Sequence, residues 1–148
     1  MQDLLREFDG VLATRVGYCG GDVPDARYDD VKRGDTGHAE AIRVVFDPAR
    51  LSYHRLLVDG FFRIHDPTTP NRQGNDRGSQ YRSAIFYLTD AQRETAQAAI
   101  RDAQASGRWQ APIVTRIEPV RNWSDAEAFH QDYLLRNPGG YSCHWLRD

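Results

Sequence analysis

The chain has 148 residues, of which 40% are hydrophobic and 27% charged, and its formal net charge is −2 at pH 7. This size and composition are typical of one domain with a buried core, so we expect a single domain over residues 1–148. The charge argues against a general nucleic-acid binder, no apolar run could span a membrane, no signal peptide is visible, and two cysteines are too few for a secreted disulfide framework. We therefore expect a cytoplasmic protein.

The first half of the chain contains alternating helix and strand patterns. Apolar residues at helical spacing over residues 1–8 predict a first helix. Runs rich in apolar and β-branched residues predict strands over residues 11–18 and 38–46, with a polar segment, residues 22–37, between them. Ser52 is placed to cap a second helix, whose apolar stripe ends before the next proline.

The second half continues in the same way. A strand is predicted over residues 83–88, and the capping box at residues 89–92 opens a helix that ends near Gly107. Another strand follows over residues 113–118, and a second capping box at residues 124–127 predicts the last helix. The order of elements predicts an α/β (α+β) two-layer sandwich, with a mixed or antiparallel sheet and packed helices.

The loop NRQGNDRGSQYRSA, residues 71–84, contains the most unusual residues of the chain: two glycines, three arginines and four amides. Only Tyr81 and Ala84 offer apolar surface, so hydrophobic burial cannot fix its shape. Such a loop is ordered only if polar groups, including Asp76, bond to one another, to the rest of the fold or to a ligand. It is therefore a candidate site. The alternative is an Asn/Gly-rich connector that folds on itself.

Glu40 lies at the end of an apolar strand face, which it shares with Ile42, Val44 and Phe46. A carboxyl at such a position is partly desolvated, and desolvation raises its pKa. Glu40 is therefore a candidate proton donor near neutral pH. The alternative is a salt bridge to a nearby arginine.

The cysteines and histidines show no paired metal-ligand spacing, so we predict no metal site. His38 and His65 are expected to make buried hydrogen bonds.

Four segments occur in an order typical of one protein family. They are GYCGG (17–21), GDTGHAEAIRVVFDP (34–48), HDPTTPNRQGNDRGSQYRSAIFY (65–87) and HQDYLLRNPGGY (130–141). Together they resemble the peptide methionine-(S)-sulfoxide reductases, the MsrA family, over nearly the whole chain. The resemblance implies an MsrA-like fold.

The resemblance also implies a thiol-based reduction without a bound cofactor. In this family a cysteine thiolate attacks the sulfur of methionine sulfoxide, free or in proteins and peptides, and becomes a sulfenic acid. A second thiol then forms a disulfide, which thioredoxin or dithiothreitol reduces. By match, Glu40 protonates the sulfoxide oxygen, Tyr28 and Tyr81 donate hydrogen bonds to it, and Asp76 orders the pocket. These four residues are the expected substrate-binding and catalytic groups.

The chain departs from the family pattern at its start. The family's nucleophile lies in a GCFWG motif, and Met1 matches the residue just after it, so we expect an N-terminally truncated domain. Cys143 lies where the family places a resolving cysteine, one residue beyond the common GYC arrangement, and is either resolving or incidental. An inactive relative that only binds methionine sulfoxide is the alternative function. We expect a monomer.

Overall fold

The computed structural model describes residues 1–148, which form helices and strands along the whole chain. The α-helices are α1 (Gln2–Leu5), α2 (Tyr28–Val31), α3 (Tyr53–Arg55), α4 (Phe62–Ile64), α5 (Asp90–Ala105) and α6 (Tyr133–Arg136). The strands are β1 (Val11–Cys19), β2 (Ala39–Phe46), β3 (Arg72–Gln73), β4 (Asp76–Arg77), β5 (Ala84–Tyr87), β6 (Arg116–Pro119) and β7 (Ser124–Asp125). No helix has both the length and the apolar character needed to cross a membrane.

The strands form three separate sheets, two antiparallel and one parallel. β2, β1 and β7 are joined in that order by antiparallel pairing, which sets Tyr18 of β1 opposite Glu40 of β2. β5 and β6 form a parallel pair, with α5 as the crossover between them, and β3 and β4 form a short hairpin. These parallel and antiparallel strand pairs, together with the packed helices, confirm the predicted α/β (α+β) class.

α3 and α4 are joined by a π-helical turn, Leu56–Phe61, into one helical stretch. Ser52 caps its start, because its hydroxyl accepts the Arg55 N–H at 3.1 Å. The stretch ends at His65, whose backbone is extended and leads into Asp66-Pro67, where a helix cannot continue. The predicted second helix is therefore present, with a wider turn in its centre than the sequence pattern indicated.

The core consists of small residues on α5 packed against larger ones beneath it. The main cluster contains Leu57, Phe62, Ile85, Ala96, Ala99 and Ala103, all buried. A second cluster joins α1 to β2 and the helical stretch through Leu5, Leu51, Leu56 and Ile64. The alanines have small side chains, so α5 can pack closely against the β5–β6 pair.

The helix predicted from the capping box at residues 124–127 was wrong. Ser124 lies in β7, and its hydroxyl accepts the Ala26 N–H at 3.1 Å. The Glu127 carboxylate instead accepts the backbone N–H of Tyr28. Both capping side chains are thus used in contacts with a distant segment, and the last helix, α6, begins only at Tyr133.

The polar segment 22–37 contains a helix that the sequence did not predict, α2.

Candidate active site

A groove of about 510 Å³ lies between β2 and β5. One end, here called the acidic end, is lined by Glu40, Asp76, Tyr81 and Cys143. These residues come from β2, the β3–β4 hairpin, the turn before β5 and the C-terminal tail. The structure therefore brings four of the sequence-predicted site residues together, and the fifth, Tyr28, lies beside them.

Glu40 takes part in none of the ion pairs of the structure, so the alternative of a salt bridge to an arginine was wrong. The residue reaches solvent through the mouth of the groove, but protein atoms crowd around its carboxyl. This desolvation raises the pKa of Glu40 to about 7, and the negative charge of Asp76 adds to the effect. Near neutral pH the carboxyl can therefore hold a proton and release it.

Carboxyl ¹³C NMR gives a direct test of this environment. We expect the Glu40 carboxyl to titrate with a pKa of about 7 and its signal to be missing in Glu40→Gln. In Asp76→Asn the pKa of Glu40 should fall, because one repelling charge is gone, but it should stay above the usual value because desolvation remains. A Glu40 pKa at the ordinary glutamate value, about 4.3, would contradict this description.

Tyr81 ends a short 3₁₀ turn, Ser79–Tyr81, that leads into β5. Burial raises the pKa of its phenol to about 12, and the charges of Glu40 and Asp76 act in the same direction. The phenol therefore stays protonated near neutral pH and can donate a hydrogen bond. Asp76 accepts from the Tyr141 hydroxyl at 3.5 Å and from the Cys143 thiol at 4.0 Å, which ties the tail to the acidic end.

The polar loop is held by hydrogen bonds, as the sequence predicted. The Arg82 guanidinium donates to the Ser79 carbonyl at 2.9 Å and the Gly37 carbonyl at 3.0 Å, and pairs with Glu118 at 3.1 Å. The Gln73 side chain bonds to both backbone groups of Asp66. These contacts fix the segment on either side of Asp76 and Tyr81 without hydrophobic burial.

Tyr28 is the first residue of α2 and is not among the residues that line the groove. Its backbone N–H donates to both carboxylate oxygens of Glu127, at 3.3 and 3.2 Å, and its ring packs 5.0 Å from that of His130. Tyr28 is nevertheless near enough to contribute to the raised pKa of Tyr81. Glu127 and His130 thus hold Tyr28 next to the acidic end.

Both cysteines are free thiols. Burial, and then the Asp76 charge, raises the pKa of Cys143, whose sulfur lies 3.5 Å from His144 Nδ1. Cys19 is only 1% exposed, its thiol donates to the Arg121 carbonyl, and burial raises its pKa. A reactive cysteine has a lowered thiol pKa, because the thiolate is the nucleophile. Neither Cys19 nor Cys143 has such a lowered pKa.

Sequence reasoning missed two groups at the acidic end, Met1 and His144. The pKa of His144 is lowered to about 3, first by burial and then by the positive Met1 amino group. His144 reaches this place because the tail folds back, with the Arg147 N–H donating to the Arg63 carbonyl at 2.8 Å. No local pattern in the sequence signals this long-range contact.

The two internal histidines make buried hydrogen bonds, as predicted. His65 Nδ1 lies 2.6 Å from the Phe61 carbonyl oxygen, which can only accept, so Nε2 accepts from the Ser83 hydroxyl at 2.7 Å. Burial lowers the pKa of His65 to about 4, which keeps the ring neutral. In His38 the two ring nitrogens have the opposite roles: Nε2 donates to the Val23 carbonyl and Nδ1 accepts from the Gly21 N–H.

Comparison with known proteins decides the family of the chain. The family profile described as peptide methionine sulfoxide reductase matches residues 1–147. The chain belongs to this family. Over 147 residues it is 56% identical to the peptide methionine sulfoxide reductase MsrA of Pseudomonas fluorescens, covering 99% of this chain and 68% of that protein. It is 54% identical to the Mycobacterium ulcerans MsrA, covering 99% and 83%.

Two solved structures have the same fold as this chain. Mxr1 from Saccharomyces cerevisiae, in reduced form, superposes with a TM-score of 0.91 at 40% identity, covering 99% of this chain and 85% of that one. Methionine sulfoxide reductase A of Corynebacterium diphtheriae gives a TM-score of 0.80 at 36% identity, covering 95% and 71%. The chain is thus a member of an oxidoreductase family whose name states its reaction, the reduction of methionine sulfoxide.

Proposed function

We propose that this protein carries the acid, hydrogen-bond donor and binding groups for thiol-dependent reduction of methionine-(S)-sulfoxide, in proteins and as the free amino acid. The observation that carries the proposal is the juxtaposition of Glu40, Asp76 and Tyr81 at one end of the groove. Glu40 has a pKa of about 7, and Tyr81 keeps its phenolic proton. Such groups stabilise the negative charge that develops on the sulfoxide oxygen as its bond to sulfur breaks.

The reaction follows from these groups and a thiolate. The thiolate attacks the sulfoxide sulfur while Glu40 gives its proton to the oxygen and Tyr81, with Tyr28 beside it, donates a hydrogen bond. The S–O bond breaks, methionine is released and the oxygen ends on the attacking sulfur as a sulfenic acid. A second thiol displaces that oxygen as water and leaves a disulfide. An external dithiol, thioredoxin or dithiothreitol, supplies the two electrons that restore both thiols.

We propose that the attacking thiol is neither of the two in this sequence. Cys19 is buried and hydrogen-bonded, and the pKa of Cys143 is raised. We propose that the nucleophile belongs to a GCFWG motif joined to Met1. Met1 itself lines the groove, so residues attached to its nitrogen start next to the acidic end. On this proposal residues 1–148 supply the acid and the hydrogen-bond donors, and the motif supplies the thiolate.

Activity on a methionine sulfoxide ester with dithiothreitol tests this proposal. Three chains are compared: residues 1–148, the same chain preceded by GCFWG, and a control preceded by GSFWG. We expect turnover only with GCFWG, and only for the S epimer. If the GCFWG chain binds a methionine-sulfoxide peptide but never reduces it, the protein is the inactive binding relative instead.

Cys143 is proposed as the resolving cysteine, because its sulfur lies at the acidic end near Asp76. In the GCFWG chain, Cys143→Ser should still convert one equivalent of sulfoxide but should lose most thioredoxin-driven recycling. The matched control is Cys19→Ala, which removes the other thiol and should leave recycling in place. Recycling that is unchanged in Cys143→Ser would make Cys143 incidental.

The partners are thioredoxin and proteins or peptides that contain methionine sulfoxide, and the protein acts as a monomer without a bound cofactor. Two free thiols fit a reducing compartment such as the cytoplasm.

A further inference from the structure

The C-terminal tail, residues 141–148, is attached to the rest of the fold at two places. The first lies at the acidic end, where Asp76 accepts from the Tyr141 hydroxyl at 3.5 Å and from the Cys143 thiol at 4.0 Å. A hydrogen bond between two oxygens is normally about 2.5–3.0 Å long, so the contact with Tyr141 is weak, and a thiol is a weak donor. These contacts alone do not hold the Cys143 sulfur at the acidic end.

The second attachment lies at Arg147 and is stronger. The Arg147 N–H donates to the Arg63 carbonyl at 2.8 Å, and the Arg63 guanidinium donates back to the Arg147 carbonyl at 2.6 Å. The Arg147 guanidinium lies 3.8 Å from the ring centroid of Trp145 and 5.7 Å from that of Trp109, close enough for cation–π attraction to both rings. The indole N–H of Trp109 donates in turn to the Phe62 carbonyl at 3.3 Å. These contacts are here called the Arg147 anchor.

The Arg147 anchor limits how far the Cys143 thiol can move. The four peptide units from Cys143 to Arg147 span at most roughly 14 Å. Gly74, between β3 and β4, leaves room for the thiol, since a Cβ at that position would lie 3.3 Å from Cys143 Cβ. The thiol is therefore kept close to the acidic end by the anchor, and only weak contacts must break before it can attack a neighbouring sulfur.

We infer that Arg147 is a positioning residue for the resolving step, and that the Arg147 anchor keeps the Cys143 thiol within reach of the oxidised motif cysteine. The inference rests on the proposed function, in which Cys143 attacks the sulfenic acid sulfur, the S–O bond breaks, the oxygen leaves as water and a disulfide forms. A thiol on a tail attached at both ends has a higher effective concentration than a thiol on a tail attached at one end. Arg147 does not line the groove, so the earlier attack on the sulfoxide should not depend on it.

Alkylation of Cys143 by iodoacetamide tests the anchor in residues 1–148 without any reduction of sulfoxide. Arg147→Ala removes the guanidinium, and Trp145→Ala removes the nearer ring from a position that is 57% exposed. The matched control is Arg101→Ala, at an exposed position on α5. Mass spectrometry follows the peptide that contains Cys143, and the buried Cys19 in the same sample reports whether the fold is intact.

We expect Cys143 to react about fivefold faster or more in Arg147→Ala and Trp145→Ala, because a released tail opens the thiol to water and removes the burial that raises its pKa. Arg101→Ala should react like the parent chain. Unchanged alkylation of Cys143 in both anchor variants would overturn the inference. So would an equal acceleration at Cys19, because Arg147 would then support the whole fold and not the tail.

The same variants in the GCFWG chain separate the two chemical steps. In a single turnover, Arg147→Ala should form methionine at the parent rate but should form the disulfide with Cys143 about tenfold more slowly. Arg147→Lys keeps the charge but loses the planar stacking group, so its disulfide rate should lie between the two. An unchanged disulfide rate, or equal slowing of both steps, would refute the role in resolution. If the GCFWG chain forms no methionine while alkylation is accelerated as expected, the proposed function is wrong and the Arg147 anchor is still supported.

Discussion

Replacing Glu40 with glutamine in the GCFWG chain is expected to slow methionine sulfoxide reduction by about 10²–10⁴-fold, the usual contribution of a general acid. Glutamine keeps the size of the side chain and its place on β2, but it has no proton to give to the departing oxygen. The loss should appear mainly in kcat, because the substrate is still bound by Tyr81 and the walls of the groove. Steady-state and single-turnover rates on a sulfoxide peptide measure it.

The pH profile gives the same prediction a second readout. With a pKa of about 7, the protonated form of Glu40 declines above neutral pH, so its contribution should fall about tenfold for each further pH unit. Glu40→Gln should lack this descending limb. The control is Glu94→Gln, at an exposed position on α5, which should react like the parent chain. If Glu40→Gln stays within a few-fold of the parent across the pH range, Glu40 is not the acid.

Replacing Phe62 with alanine should destabilise the fold by about 3–5 kcal/mol. Phe62 has 0% exposure, belongs to the main core cluster and meets Phe61 edge-on, with ring centroids 4.9 Å apart. The substitution leaves a cavity beneath α5, which the small alanine side chains of α5 cannot fill. Because Leu57 and Ile85 from the same cluster line the groove, its floor should loosen as well.

Urea unfolding followed by circular dichroism measures this effect. The control is Phe129→Ala, a residue 60% exposed, which should change the free energy of unfolding by no more than about 0.5 kcal/mol. A loss below about 1 kcal/mol for Phe62→Ala would mean that the core around α5 is less tightly packed than described.

The local part of this site could be predicted from the sequence. Two-residue alternation along one strand was enough to place Glu40 at the end of an apolar face, and the face does pack into the core through Ile42, Val44 and Phe46. The composition of residues 71–84 was enough to show that polar bonds must order the loop, which the contacts of Arg82 and Gln73 confirm. Both inferences depend only on neighbours along the chain.

The parts that the sequence did not reveal depend on distant contacts. The capping-box pattern at Ser124 and Glu127 was misleading, because both side chains bond a segment about a hundred positions earlier. The tail returns to the acidic end through Arg63 and Arg147, and neither residue signals this by its type. The groove lies between β2 and β5 because β2 pairs with β1 and β5 pairs with β6, so the two strands do not pair with each other. Local sequence patterns cannot predict this strand order.

We propose that Glu40, at the acidic end, protonates the sulfoxide oxygen while a thiol joined to Met1 takes that oxygen from sulfur. A single turnover of the GCFWG chain without reductant, followed by mass spectrometry of peptide and protein, distinguishes the possible outcomes. We expect a single equivalent of methionine from the S epimer, with the motif cysteine oxidised to a sulfenic acid or to a disulfide with Cys143. The proposal is wrong if the GCFWG chain yields no methionine, or if its Glu40→Gln variant yields as much methionine at the same rate.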